Sequence, residues 1–234
     1  MRLASLVSAA ALAVSFAAPA SASILVYTSR AAFDALGPFT PVDWSVYGPA
    51  GTSISTPEFR TVGPITVGVA SSEGVLSRHD EGTDYTGDFA PGDHLLTDAG
   101  SESDSFIVSF GAPVRGFGTQ VEPDYLTGAW TGTVKLYDAG STVIGTIAIA
   151  GARGTAEDNS APFFGFVSSL DDISFATFVV DQTPINLPPA GAVAINTMDV
   201  LEAPVPESSS LSIAGAALLG LGGAFLLRRR RFTR

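Results

Sequence analysis

The middle of the chain consists of short apolar segments separated by Gly, Pro, Asp and Ser, with no long helical period. In "SFIVSF", apolar and polar positions alternate, with Phe106, Val108 and Phe110 on one face, as in a half-buried strand. A second candidate strand, "VRGFGTQV", follows directly after residues 111–113, Gly-Ala-Pro. The pattern predicts an all-β fold.

The later part of the chain continues this pattern. "TGTVKLYDAGSTVIGTIAIAG" predicts a hairpin, because Val134 and Leu136 share one face and residues 138–141 are typical turn residues. "PFFGFVSS", "ISFATFVVD" and "AVAINTMDVLE" are three further candidate strands. A spacing of about ten residues per strand favours two packed sheets, and no internal repeat is visible. We expect a jelly-roll-like two-sheet sandwich of roughly eight to ten strands.

A short helix is predicted near the beginning of this region. Ile24 to Tyr27 has the composition of a short strand, and Ser29 is a suitable N-cap for the segment that follows. Phe33 and Leu36 stand three residues apart, the spacing of one helix face, before Gly37-Pro38 ends the helix.

Both ends of the chain differ from this middle. Residues 1–22 contain Arg2, an apolar run and small residues at Ala20 and Ala22, which is the pattern of a secretory signal peptide cleaved before Ser23. The alternative is an N-terminal helix that stays uncleaved. At the other end, residues 211–227 are uncharged and would span roughly 25 Å as a helix, slightly less than the ~30 Å hydrocarbon core of a bilayer. We expect a single transmembrane helix there.

A basic cluster follows that C-terminal segment. Arg228, Arg229, Arg230 and Arg231 form a predicted stop-transfer block that stays on the cytoplasmic side. The body of the protein is therefore expected outside the inner membrane.

The C-terminal tail resembles a known sorting signal. Val205, Pro206 and Glu207, a Ser spacer, one apolar helix and a terminal Arg cluster are similar to the PEP-CTERM signal of exported proteins in Gram-negative bacteria that make exopolysaccharide. The resemblance implies that an exosortase recognises the tail and cleaves it near the Pro-Glu motif. The partners implied are the exosortase, the inner membrane in transit and exopolysaccharide. An ordinary single-span anchor is the alternative.

Together these features predict four regions and a location. They are a signal peptide (1–22), an exported β-sandwich domain (23–202), a linker with the Pro-Glu motif (203–210) and the sorting tail (211–234). The protein is expected to be membrane-anchored before tail processing and at the cell surface or in the extracellular matrix afterwards.

Charge and cysteine content narrow the possible functions. The stretch between signal and tail keeps six of the 12 basic residues and all 23 acidic ones, a net charge of −17. Such a surface repels phosphate, so we expect no nucleic-acid partner. The chain has no cysteine, which excludes disulfides and a thiol nucleophile.

The acidic residues offer candidate metal ligands, although no cofactor is required by any motif. One set, Asp80, Asp84 and Asp88, lies in an acidic segment from Arg78 to Ser105, and its carboxylates suit a structural calcium ion. A second set lies at predicted strand ends: Glu122, Asp124 and Asp199. The alternative is that these side chains only keep the surface solvated.

Two histidines in the same segment, His79 and His94, could ligate zinc together with Asp80 and Asp93. Because they lack helical i, i+4 spacing, we expect them to be exposed loop side chains instead.

Aromatic residues framed by polar groups are candidates for carbohydrate stacking. "EPDYLTGAW" places Tyr125 and Trp130 beside acids and Gly in one predicted loop. The alternative is that Trp and Tyr side chains fill the sandwich core with one polar tip outward, which we expect for Trp44.

Signatures of catalysis are scarce. The chain has no Gly-x-Ser-x-Gly, no His-Glu-x-x-His and no phosphate-binding glycine loop, so we expect no enzymatic activity. The first hypothesis is a structural or interaction protein linked to exopolysaccharide and biofilm. The alternatives are a carbohydrate-binding module, which would use the sandwich face or the 125–130 loop, and a glycan-active hydrolase with two carboxylates in reach of each other.

Overall fold

The structure is a computed structural model that describes residues 22–72, 74–98, 106–124, 127–181 and 192–203. Five predicted features lie outside these residues: residues 1–21 of the signal peptide, the sorting motif Val205–Glu207, the transmembrane segment 211–227, the stop-transfer arginines 228–231 and Tyr125. In the part of the chain that is described, no helix is long and apolar enough to cross a bilayer.

The described residues form fourteen strands, one short α-helix and one 3₁₀ turn. The helix α1 is Arg30–Asp34, and the 3₁₀ turn is Trp44–Tyr47. The strands are β1 (Ile24–Tyr27), β2 (Thr40–Val42), β3 (Thr52–Ser55), β4 (Glu58–Val62), β5 (Ile65–Ser71), β6 (Val75–Asp80), β7 (His94–Thr97), β8 (Phe106–Pro123), β9 (Gly128–Tyr137), β10 (Val143–Arg153), β11 (Phe163–Ser168), β12 (Ile173–Asp181), β13 (Val193–Ile195) and β14 (Met198–Glu202).

Strand β8 belongs to both layers of the fold. Its first half lies between β12 and β5, in an antiparallel order β10-β9-β12-β8-β5-β4. Its second half lies between β11 and β14, with β1 and β2 outside them. The last residues of β8 pair with β13, which continues through β7, β6 and β3. The predicted all-β antiparallel sandwich is confirmed.

The core lies where the two layers face each other. Phe117, in the second half of β8, contacts Phe110 of the first half, Phe166 of β11 and Phe178 of β12, with ring centroids 5.3 to 6.3 Å apart. Trp130 of β9 packs edge-on against Phe164 of β11 in the same way. Aromatic contacts of this kind join the layers without disulfides.

Two predicted strand boundaries are wrong. "SFIVSF" and "VRGFGTQV" are one 18-residue strand, because residues 111–113 stay extended and exposed instead of turning the chain back. "AVAINTMDVLE" is two strands, because Asn196 interrupts the pairing: its Oδ1 accepts the Gln120 N–H at 3.0 Å, and its backbone oxygen accepts Trp44 Nε1 at 2.7 Å. The merger and the split leave the count unchanged. The total exceeds the eight to ten expected because six strands, β2 to β7, lie in residues 40–97, where no strand was predicted.

The short helix forms where it was predicted. Ser29 caps α1, its hydroxyl accepting the Ala32 N–H at 3.4 Å. Phe33 is buried in a small cluster with Phe163, against which Leu36 packs just beyond the helix end.

The junction of the layers predicts a large stability difference between two phenylalanines. Phe117→Ala should lower the free energy of unfolding by about 3–5 kcal/mol, because it leaves a cavity at the contact of the two sheets. Phe59→Ala, which removes a ring that is 56 % exposed, should cost less than about 1 kcal/mol. Urea unfolding of residues 22–203 measures both, and similar losses would contradict the layer assignment.

Candidate functional site

The candidate site lies on the outer face of the layer β10-β9-β12-β8-β5-β4. Alternate residues of these strands point into the core, such as Val134 and Leu136 on β9 and Ala176 and Phe178 on β12. Most of the intervening outward positions carry Thr, Ser, Ala or Gly. Lys135 is a basic position on this face, and Asp181, paired with Thr131, is an acidic one. This face is therefore only weakly charged, although residues 23–210 carry a net charge of −17.

Cross-strand pairing places three aromatic side chains in one row on this face. Phe59 of β4 is paired with Gly68 of β5, and Gly68 is paired with Ser109 of β8. Ser109 is paired with Phe175 of β12, and Phe175 with Tyr137 of β9. We call these five residues the aromatic row.

The middle of the aromatic row depends on a glycine. A Cβ atom at Gly68 would lie 2.4 Å from Cε1 of Phe59 and 2.5 Å from the Ser109 hydroxyl. The Phe59 ring therefore lies directly over the backbone of β5, beside a hydroxyl group, and any larger residue at position 68 would displace it. The ring remains 56 % exposed in this position.

The other end of the aromatic row is a stacked pair. The rings of Tyr137 and Phe175 are parallel within 7°, with centroids 4.3 Å apart. Stacking of this kind fixes both rings and leaves one face of each uncovered by the other. With strands about 4.8 Å apart, the strand positions of Gly68 and Phe175 are separated by about 10 Å across the sheet.

This arrangement can bind a flat or extended ligand. Aromatic rings offer apolar surface, and the hydroxyls of Ser109 and Tyr137 and the ammonium of Lys135 offer hydrogen-bond donors beside it. Among the positions that strand pairing places on this face, only Asp181, paired with Thr131, is acidic, so the described part of the face lacks the pair of acids that a glycosidase needs.

The aromatic residues singled out from the sequence do not form this site. Trp130 is only 2 % exposed, because its indole packs between the layers, so its ring cannot stack on a sugar in this structure. Trp44, Tyr47 and Tyr85 are buried as well. The expectation that Trp44 is a core residue is confirmed.

Sequence reasoning missed the aromatic row, although part of its signal is visible. Tyr137 has the opposite parity to Val134 and Leu136 in β9, which marks it as outward-facing. Nothing local shows that Phe59 and Phe175, more than a hundred residues apart, lie in the same row.

The first predicted metal set has protein partners instead of an open coordination site. Asp80 forms an ion pair with the buried Arg78. Asp84 Oδ1 accepts the Asp80 N–H at 2.7 Å, and its Oδ2 lies 2.9 Å from His79 Nδ1. Asp88 accepts the backbone N–H groups of Gly154 and Ala156, the latter at 3.2 Å, and so holds the 154–160 loop in place.

The second set does not converge on one point either. Glu122 is fully buried, 3.3 Å from Arg153 Nε, and accepts the Tyr85 hydroxyl at 3.1 Å. The backbone N–H of Asp124 donates to Ala192, whereas Asp199 forms an ion pair with Arg30 of α1.

Among the residues that the structure describes, no three Asp, Glu or His side chains are arranged to hold a metal ion. The candidate acidic carboxylates and the candidate zinc ligands His79 and His94 are therefore not assembled into metal sites among these residues. The expectation that both histidines are exposed loop residues is wrong, because His79 lies in β6 and His94 in β7, and both are half-buried. Their physical role in this structure is to connect loops: His94 Nδ1, for example, lies 2.7 Å from Asp43.

Several of these carboxyl groups are costly to ionise. Burial raises the pKa of Glu81 to about 7, since this side chain is 1 % exposed, and the nearby Glu157 carboxylate adds to the effect. Burial likewise raises the pKa of Glu122 to about 7 despite the opposing charge of Arg153. The pKa values of Asp124 and Asp199 rise to about 6 for the same reason.

Comparison with known proteins yields structural likenesses only. No family model matches the chain, and no curated protein matches its sequence. A DUF4465 family protein from Bacteroides caccae is 13 % identical, with a TM-score of 0.46 over 70 % of this chain and 98 % of that chain. CsCBM6-3 from Clostridium stercorarium, solved in complex with cellobiose, is 12 % identical, with a TM-score of 0.31 over 67 % of this chain and 99 % of that chain.

A glycoside hydrolase family 43 arabinoxylan arabinofuranohydrolase from Bacillus subtilis, in complex with cellotetraose, is also 12 % identical, with a TM-score of 0.30 over 69 % of this chain and 43 % of that chain. Likenesses this low in TM-score carry no functional inference. The function is therefore inferred from this chain's own residues.

The raised pKa values predict that stability falls as pH rises. A carboxyl whose folded pKa exceeds its unfolded value of about 4 stabilises the fold fully below that value and loses this contribution as pH passes the folded pKa. The free energy of unfolding should therefore decrease between about pH 5 and pH 8. Denaturant unfolding at several pH values measures it. Glu81→Gln should flatten the slope, and a profile that rises with pH would contradict the assignment.

Proposed function

We propose that this protein is an exported carbohydrate-binding protein of the cell surface or extracellular matrix, and that its aromatic row binds a polysaccharide chain. The observation that supports the proposal most is the row itself: three aromatic rings on one exposed, weakly charged sheet face, with hydroxyl groups between and beside them. Sugar rings combine apolar C–H faces with hydroxyl rims, and this pattern complements both.

The open form of the site favours a chain over a small molecule. Small-molecule sites are usually concave and enclose most of their ligand. The aromatic row is instead a ridge across adjacent strands. Two recesses of about 400 and 410 Å³ flank Arg115, but no residue of the row lines either of them. A polysaccharide lying across the strands contacts several points of the row at once.

The side chains on the outer sheet face favour neutral glycans over charged ones, and they favour binding over hydrolysis. Lys135 is a single cation, too few to select a polyanionic polymer against the −17 charge of the exported part. A hydrolase is the weaker alternative, since the described outward side chains lack paired carboxylates.

The route of export belongs to the same proposal. The PEP-CTERM-like residues Val205–Glu207, the apolar segment 211–227 and the arginines 228–231 support sorting by an exosortase, which would place the body next to secreted polysaccharide. The passage of β8 through both layers supports a jelly-roll-like topology for the body.

Loss of one ring should weaken glycan binding measurably. Phe59→Ala and Phe175→Ala should each reduce affinity for a bound neutral polysaccharide about five- to tenfold, because each removes a stacking surface. Affinity electrophoresis in gels containing β-glucan, xylan, mannan or the native host's exopolysaccharide measures the retardation of residues 22–203.

A matched control comes from Phe39, which is 37 % exposed and lines the recess beside Arg115 instead of the row. Phe39→Ala should leave binding unchanged. Retardation by none of these polymers, or equal losses in all three variants, would exclude the aromatic row as the glycan site.

Processing of the tail has its own test. In a native host with its exosortase, the mature protein should lack residues beyond the Pro-Glu motif, and intact-mass measurement detects this loss. Deleting the exosortase should restore the mass of the C-terminal segment. A mature form that keeps Arg228–Arg231 in the presence of the enzyme would favour an ordinary anchor.

A further inference from the structure

Strand β10 forms a long open edge of the layer that carries the aromatic row. Among the described residues it pairs only with β9, from Val143↔Tyr137 to Arg153↔Gly128. The N–H and C=O groups of alternate β10 residues point away from β9, and within the described residues no strand pairs with them along this eleven-residue strand. Such an edge is a template for a further strand.

The usual protections against edge pairing are missing from β10. Residues 143–152 contain no charge and no proline, and the single register irregularity lies at the start, between Val143 and Gly145. Arg153 ends the strand, but it is only 7 % exposed and its Nε faces the buried Glu122. Its charge therefore does not prevent another strand from pairing with the β10 edge.

Other edge strands of the fold are short or charged. β1, β2 and β3 have four, three and four residues. β4 has five, with Glu58 and Arg60 forming an ion pair on it. The contrast indicates that the β10 edge is kept open for pairing.

A second copy of this chain fits the β10 edge. Two copies carry the same strongly negative charge and repel each other, so they can meet only through a surface without like charges, which residues 143–152 provide. The outward side chains Ala148, Ala150 and Ala152 are small and do not obstruct a neighbouring strand. Ile147 and Ile149, on the inner side, would extend the apolar seam across the junction.

We propose that two copies pair antiparallel through their β10 strands and form a homodimer. Full overlap of two eleven-residue strands places Ala148 opposite itself. Antiparallel pairing of identical edges requires a two-fold axis perpendicular to the sheet, so both outer faces point to the same side. The dimer therefore has one continuous twelve-strand surface that displays two aromatic rows.

Formation of the dimer does not depend on glycan binding. That the dimer strengthens attachment to a polysaccharide rests on the proposed function. Two aromatic rows on one surface can bind the same polysaccharide chain or two neighbouring chains. Once one row has bound, the glycan is held near the second row, so the second row binds it at a higher effective concentration than free glycan would provide.

Disulfide trapping tests the pairing in the full chain, which has no cysteine of its own. Ala148→Cys should form a covalent dimer on mild oxidation. Directly opposed Cβ atoms on paired strands lie about 4.5–5.5 Å apart, and the Cβ atoms of a disulfide are only slightly closer together. Non-reducing gel electrophoresis of the exported protein shows the dimer, and reduction should remove it. Thr131→Cys, exposed on the same face but one strand inward, is the matched control and should stay monomeric.

A second measurement keeps the result independent of thiol chemistry. Sedimentation of the exported protein should show a concentration-dependent dimer. Ala148→Lys should abolish this dimer, because two lysines would lie opposite each other, whereas Thr131→Lys should leave it intact. Circular dichroism checks that both variants fold. A monomer at all concentrations with no trapped dimer, or a dimer that survives Ala148→Lys, would overturn the proposal, and neither result bears on glycan binding by a single copy.

Discussion

The fold depends on strand β8, which takes part in both layers of the sandwich. Eighteen residues without a turn pair with β5 and β12 in the first half and with β11, β13 and β14 in the second. Because one strand fixes the positions of five others, the contact of Phe117 with Phe110, Phe166 and Phe178 forms across the layers. A chain without cysteine obtains from this shared strand and its aromatic core the cohesion that many exported proteins obtain from disulfides.

The same pairing determines the outer face. Once β5, β8 and β12 are in register, Gly68, Ser109 and Phe175 lie side by side, and the flanking Phe59 and Tyr137 complete the aromatic row. A shift of one residue in β4, β9 or β12 would turn that strand's ring toward the core, so the site depends on register as strictly as the core does. The open β10 edge lies at one end of this layer, so the proposed glycan-binding face and the proposed dimer edge belong to one sheet.

The acidic residues serve the loops of the fold. Asp88 binds the backbone of the 154–160 loop, and Asp84 binds the backbone at Asp80, so these carboxylates act where strands would otherwise end in unpaired N–H groups. Glu81 and Glu122 are buried deeply enough that their ionisation opposes folding. Composition suggested cations as ligands for these groups, whereas the structure uses backbone N–H groups and arginines as their partners.

Local pattern was sufficient for β1 and for the strands from residue 106 onward apart from their boundaries, for the Ser29-capped helix and for the turn at residues 138–141, because alternation, capping and turn chemistry act between near neighbours. It did not reveal β2 to β7. It was insufficient for the continuity of β8 and for the interruption at Asn196, which depend on partners far along the chain. The candidate site likewise depends partly on local pattern and partly on long-range pairing. The sequence by itself determined that Tyr137 faces away from the core and that the chain's ends differ from its body. Only the tertiary structure decided that Trp130 is buried and that Phe59, Phe175 and Tyr137 form one row, since cross-strand neighbours are selected by long-range pairing and not by any local preference.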